Sequence, residues 1–205
     1  MPPRAYNNEN RLQQQEQLKA RIAAAAAELH AVHGALATSY AQIAERAGVS
    51  LPTIYKHFPT LDDLTRACSG HVAAQAPPLP VDEILGAPDL AAAVERLVHG
   101  MDRINAHFAP WMAWREYHRI AALAEMADAE RRQLVALCGQ LLARHPGAAD
   151  ARETAQVWAA LLDFEFWHSL VQQHKLPRAA ARRRQVQLLL AAAAPSSLPQ
   201  RKNRT

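Results

Sequence analysis

The sequence predicts an all-α protein, and three observations carry that expectation. Apolar residues recur at three- and four-residue spacing, with almost none of the alternating β-branched runs that strands need. Alanine dominates a composition that is 50% hydrophobic, and alanine is the strongest helix former. Four prolines and a glycine then fall within residues 76–88, breaking the helical pattern into two parts. At 205 residues the chain can bury one large core or two smaller ones.

Taken in order, Leu18, Ile22, Ala25, Leu29 and Val32 give a first helix, ending near His33, one apolar stripe. Ser39 and Gln42 have capping-box spacing: the serine oxygen takes an orphan N–H while the glutamine reaches back to the cap. A second helix therefore starts near Tyr40. Ile43 and Ala47 form its inner face, and Gly48 ends it, because glycine enters the left-handed conformation without a Cβ penalty. Ser50 caps a third helix, Pro52 fits its first turn without losing an intrahelical bond, and Ile54 and Phe58 repeat the apolar spacing. Two short helices around a glycine turn match the helix-turn-helix pattern. Thr60 with Asp63 opens a fourth helix, expected to run to about Gln75. Beyond a short turn around Val81 to Leu85, five helices are expected near 89–107, 110–122, 125–144, 149–173 and 179–193. They are separated at Pro110, Ala124–Glu125, Pro146–Gly147 and Pro177.

The outward face of the third helix carries groups suited to a DNA major groove. Thr53 can hydrogen-bond a base edge or a phosphate, Leu51 and the Pro52 ring can pack on a thymine methyl, and Lys56 can donate to phosphate or guanine. Tyr55 and His57 suit phosphate contacts, and Ser39, Tyr40 and Ser50 stand at the helix starts beside them. The run Ile43-Ala44, Ala47-Gly48-Val49-Ser50 and Pro52-Thr53-Ile54-Tyr55-Lys56-His57-Phe58-Pro59 resembles the N-terminal domain of tetracycline-repressor (TetR) family transcriptional regulators. The resemblance extends through the first helix and through Thr60-Leu61-Asp62-Asp63-Leu64, about a third of the chain. It implies a helix-turn-helix DNA-binding domain with an N-terminal arm over 1–60 and a helical ligand-binding and dimerisation domain over 61–194, while composition alone marks a basic disordered tail over 195–205. Position 61, commonly a phosphate-supporting lysine in that family, is leucine here, so backbone affinity is either weaker or supplied by the arm around Arg4 and Arg11.

Composition narrows the partners. The net charge of +4 favours an anionic partner. The excess lies late in the chain, around Arg178, Arg182, Arg183, Arg184, Arg201, Lys202 and Arg204, since no acidic residue follows Glu165. Cys68 and Cys138 lack any metal-ligand or redox spacing and suit a reducing compartment. The uncharged stretches Ala23 to Ala27 and Leu188 to Leu198 fall short of the roughly 20 apolar residues of a membrane span. The start of the chain lacks the apolar run of a secretion signal. A cytoplasmic protein with no membrane partner is expected.

His107, Phe108, Trp111, Trp114, Arg115, Tyr117 and His118 concentrate aromatic and cationic groups. On a helix, Trp111, Trp114, Arg115 and His118 share one face, which suits either a pocket wall for an apolar or aromatic small molecule or a thick helical core. Phe164, Trp167 and His168 can close such a site from another helix. The final helices hold Leu161, Phe164, His168, Val171, Val186, Leu189 and Leu190. The resemblance implies that this pair forms a four-helix homodimer interface, although the same residues can equally pack within one subunit. A dimer reads two half-sites, so the implied target is double-stranded DNA bearing an inverted repeat. The resemblance further implies a repressor released by its ligand.

An enzyme is not expected. The chain has no Gly-rich phosphate loop, nucleophile elbow or HExxH, and His30 and His33 have no completing ligand set, so no cofactor or metal is assigned. The alternative function is a helix-turn-helix protein whose effector is another protein, with no small-molecule pocket.

Overall fold

The computed structural model describes residues 5–145 and 150–194, with side chains from residue 9 onward. Arg4, the Pro146–Gly147 break and the tail over 195–205 lie outside the described residues. The described chain is helical without strands: α1 Ala5–His33, α2 Tyr40–Ala47, α3 Leu51–His57, α4 Leu61–Ala73, α5 Val81–Leu85, α6 Leu90–Met112, α7 Ala121–Arg144, α8 Ala151–Leu162, α9 Phe164–His168 and α10 Arg178–Ala193. No described helix is long and apolar enough to cross a membrane.

The chain forms two compact units, neither of them contiguous. The first comprises Met1–Ala76 and Phe108–Ala127, the second Pro77–His107 and Asp128–Thr205. The boundary expected at residue 60 is therefore displaced: α4 belongs with the helix-turn-helix, and a later segment returns to join it.

In the first unit, Ile22 and Ala26 of α1 pack with Ile43 and Ala47 of α2, Ile54 of α3, Phe58, and Leu64, Cys68 and Val72 of α4. Ala23, Ala25, Ala26 and Ala27 are all buried, so more than one face of α1 is covered. The returning segment covers the further face: Trp111 and Trp114 donate their indole N–H groups to the carbonyls of Ala27 at 2.8 Å and Ala31 at 3.3 Å. Alanine permits that approach because it puts only a methyl between backbones. The stripe expected to end at Val32 ends earlier; Val32 is exposed, and His30 is the inward side chain of the last turn.

Two expected helices are corrected here. No helix spans 110–122. α6 runs through Pro110, which lacks the N–H that would bond the carbonyl four residues back, and ends two residues later at Met112. Reversal follows at Arg115, whose φ of 57° is left-handed, and then a 3-10 turn at Glu116–His118. The helix expected over 149–173 is also interrupted. Asp163 is extended at φ −67°, ψ 167°, ending α8 and capping α9 by accepting from the Phe166 N–H at 2.8 Å; a π-helical turn, Ser169–Gln173, follows.

In the second unit, Ile84, Val94, Leu97, Cys138, Leu141, Trp158, Leu162 and Leu189 form the core. Leu79 seats on Gly100, where any Cβ would collide with it. The break at Asp163 leaves carbonyls at the end of α8 without intrahelical donors. Side chains supply donors instead: Gln185 to Leu161 at 2.9 Å and Asn105 to Leu162 at 3.1 Å. Asp102 of α6 is only 1% exposed. Its carboxylate accepts from Trp167 Nε1 at 2.8 Å, from Arg178 Nε at 3.1 Å and Nη2 at 2.8 Å, and from Arg182 Nη1 at 2.8 Å. Arg178 and Arg182, part of the late excess of positive charge, are thus committed to Asp102.

Burial pushes the Asp102 carboxyl up, but hydrogen bonds from Arg178, Trp167 and Arg182 outweigh it and hold the group below the usual carboxylate range. Its contribution is present above the unfolded pKa of about 3.9 and is lost as pH falls through the folded value. Asp102→Asn is expected to cost about 3 kcal/mol at neutral pH and to flatten the stability slope below about pH 4; urea titrations across pH measure both.

His30 has a linkage of the same sign in a higher pH window. Its Nδ1 lies 3.6 Å from Cys68 Sγ, its Nε2 is buried without a hydrogen-bond partner, and burial lowers its pKa despite the opposing charge of Glu116. Below the unfolded pKa of about 6.5 the unfolded chain binds a proton that the folded chain refuses. Stability should therefore fall by up to about 1.4 kcal/mol per pH unit until the folded pKa is passed. Urea midpoints between pH 7.5 and 5 should show this decline, and His30→Leu should abolish it.

Candidate nucleic-acid interface

The two short helices form as their end signals dictate. Ser39 Oγ accepts the Gln42 N–H at 3.3 Å while Gln42 Oε1 accepts the Ser39 N–H at 2.8 Å, the reciprocal capping box. At the other end of α2, Gly48 is left-handed at φ 64°. Its N–H reaches the Glu45 carbonyl, and the Val49 N–H reaches that of Ala44 at 3.0 Å, a Schellman closure. Ser50 caps α3 through the Thr53 N–H at 3.4 Å, and its hydroxyl meets that of Thr53 at 2.8 Å. Ile54 and Phe58 are buried, which fixes the rotation of α3 about its axis.

That rotation leaves Leu51, Pro52, Tyr55 and Lys56 exposed and Thr53 and His57 half-buried. Tyr55, 54% exposed, packs on Tyr40 with the rings tilted 45° and their centroids 5.0 Å apart. The Tyr40 hydroxyl is buried without a hydrogen-bond partner. Burial first, then Tyr55 and Asp63, raises its pKa, so Tyr40 stays a neutral phenol that supports Tyr55. An open depression lined by Leu36, Ser39, Tyr40, Tyr55, Pro59 and Leu61 lies beside them. Leu61 packs against the small cluster Ala35, Ile120 and Ala122. An apolar residue at 61 therefore has a partner, the returning segment, which sequence reading alone did not reveal.

The residues considered for effector binding fall in different units. Trp111, Trp114, Arg115 and His118 belong to the first, and His107, Phe164 and Trp167 to the second. The shared helical face expected for Trp111, Trp114, Arg115 and His118 does not form, because the chain reverses between them. In the second unit Phe164 lies 5.9 Å from Trp167 and 5.4 Å from His168 between ring centroids.

Of the residues considered for a dimer interface, Leu161, His168, Val171, Val186 and Leu190 are partly buried, whereas Phe164 and Leu189 are core. Leu189 is fully buried within its own subunit, and its carbonyl accepts the Trp158 indole N–H at 2.8 Å. The large exposed apolar side chains on α8 and α10 are Val157, at 41%, and Leu188, at 43%. Hydrophobicity alone did not separate the inward from the outward leucine.

The family model described as bacterial regulatory proteins, tetR family, matches residues 22–68. Among solved structures, a transcriptional regulator from Rhodococcus sp. RHA1 is similar over 88% of this chain and 99% of its own, with 21% identity and a TM-score of 0.65. NalD, the secondary repressor of the MexAB-OprM multidrug efflux pump in Pseudomonas aeruginosa, is similar over 87% of this chain and 97% of its own, with 20% identity and a TM-score of 0.65. The multidrug binding protein EbrR, solved with imidazole, is similar over 87% of this chain and 97% of its own, with 21% identity and a TM-score of 0.58. No curated protein matches. Residues 22–68 thus match the model of the tetR family of bacterial regulatory proteins, within a fold similar over most of its length to that of solved transcriptional regulators.

Proposed function

We propose that this chain is a transcriptional repressor that binds an inverted-repeat operator as a homodimer and is released by an apolar or aromatic small molecule. One observation carries the reading. α3 is held by a buried Ile54/Phe58 stripe and a Ser50 cap so that Leu51, Pro52, Tyr55 and Lys56 face solvent from one short helix. Such a helix fits a major groove, with Lys56 and Tyr55 on phosphate and Leu51, Pro52 and Thr53 toward base edges. Ser39, Tyr40, Ser50 and His57 flank these groups.

A single reading helix contacts too few base pairs to select a genomic site, and a two-fold pair supplies the second half-site. Val157 and Leu188, exposed on α8 and α10, with half-buried Leu161 and Leu190 nearby in sequence, support self-association through these helices. Binding of a small molecule is what the name of EbrR, a multidrug binding protein, says of that protein, and for this chain it is part of the proposal. The ligand must prefer the conformation that does not bind DNA, and its effect is limited by that preference.

A selection from fragmented genomic DNA with purified protein, followed by sequencing, tests the reading. One inverted repeat should be enriched; enrichment of nothing at low salt would end it. On the enriched fragment, Lys56→Ala should weaken binding about equally across related sequences and reduce the salt slope by about 1, as expected for loss of one phosphate contact.

Val157→Glu with Leu188→Glu should leave the folded chain monomeric by analytical ultracentrifugation and weaken operator binding. A double variant that remains dimeric would place the interface elsewhere.

A further inference from the structure

The turn between α1 and α2 contains a contact that the reading helix itself does not explain. Both carboxylate oxygens of Glu116 are engaged by consecutive backbone N–H groups, Ala35 at 2.6 Å and Leu36 at 3.0 Å. Gly34, left-handed at φ 81°, makes the approach possible, since a Cβ there would lie 2.8 Å from Glu116 Oε1. Four residues on, the buried Thr38 hydroxyl donates to the Gly34 carbonyl at 2.6 Å. The next residue is Ser39, the cap of α2. The turn is thus tied at both ends immediately before the helix-turn-helix begins.

Glu116 is itself held in place. Trp114 is anchored on Ala31, and the Ala122 N–H donates to Asp62 Oδ1 at 3.3 Å. All these contacts lie within the first compact unit. Charge-assisted bonds to two adjacent N–H groups constrain both translation and rotation of that backbone, whereas one neutral bond would leave a rotation free.

We propose that Glu116 is a positioning residue for DNA recognition: its carboxylate sets the backbone turn that aims α2 and α3 at the groove. This rests on the DNA-binding function proposed above. Glu116 touches no base or phosphate in this account. It acts through the Ala35 and Leu36 amides, so its loss should impair the fit to a particular sequence more than attraction to phosphates, which Lys56 and its neighbours retain.

The test uses the full chain, the fragment enriched by the wild-type protein and a scrambled duplex of equal length. Glu116→Ala should lower the ratio of specific to scrambled affinity by about tenfold, comparable to one lost base contact. Affinity for the scrambled duplex and the melting temperature should change little, and hydrogen exchange at Ala35 and Leu36 should accelerate. Glu116→Gln, with one acceptor oxygen for two donors, should fall between.

An unchanged affinity ratio in Glu116→Ala, with faster exchange at Ala35 and Leu36, would overturn the proposal while leaving DNA binding intact. Equal loss on both duplexes, together with lowered melting in both variants, would also overturn it in favour of a role in folding alone. If wild-type protein enriches no fragment, the DNA-binding reading fails and this proposal falls with it.

Discussion

The helix-turn-helix half of the molecule depends on burying α1 on more than one side. An amphipathic helix ordinarily offers one stripe to its core, and α1 does so to α2, α3 and α4 through Ile22, Ala26 and Leu29. Its alanine run allows a second approach, and Trp111 and Trp114 use it, with their indole N–H groups satisfied on α1 carbonyls. Without side-chain bulk at 23–27, backbone carbonyls become accessible acceptors. The returning segment can then deliver Glu116 to the turn after α1 and place Ile120 and Ala122 against Leu61.

The second unit solves a different problem. Its interrupted α8 exposes carbonyls in a region covered by other helices, and Asn105 and Gln185 close them from α6 and α10. Asp102 then joins the same two helices through Arg178 and Arg182, while Trp167 occupies a further acceptor position. A buried carboxylate is tolerated only when its lone pairs are filled, and here four donor atoms fill them. These polar ties fix the register of α10 against α6 more narrowly than apolar packing does, because a hydrogen bond has direction and a leucine contact does not.

The helix-turn-helix was legible in the sequence almost residue by residue. Ser39, Gly48, Ser50, Pro52, Thr60 and Asp63 act through bonds spanning three to five residues, so their spacing specifies the local structure without help from the rest of the chain. The later half was less legible for the same physical reason. Pro110 did not stop its helix at once: α6 continues through it to Met112. Asp163 did stop one, because an N-cap can compete with helix continuation in the middle of an apolar stretch. Leu188 and Leu189 are identical in kind and adjacent, yet one is exposed and the other core.

By itself, then, the sequence determined the all-helical class, the first four helices with their caps, and which face of α3 points outward, since each follows from local hydrogen bonding and 3.6-residue periodicity. Only the tertiary structure decided that residues 108–127 join the first unit, that Arg178 and Arg182 are spent on Asp102, and that Trp111 and Trp114 brace α1 instead of sharing a helical face with His118. Those outcomes depend on contacts between residues some 60 to 85 positions apart, and no spacing rule reaches across such a distance, because the partner is chosen by packing once both segments have folded.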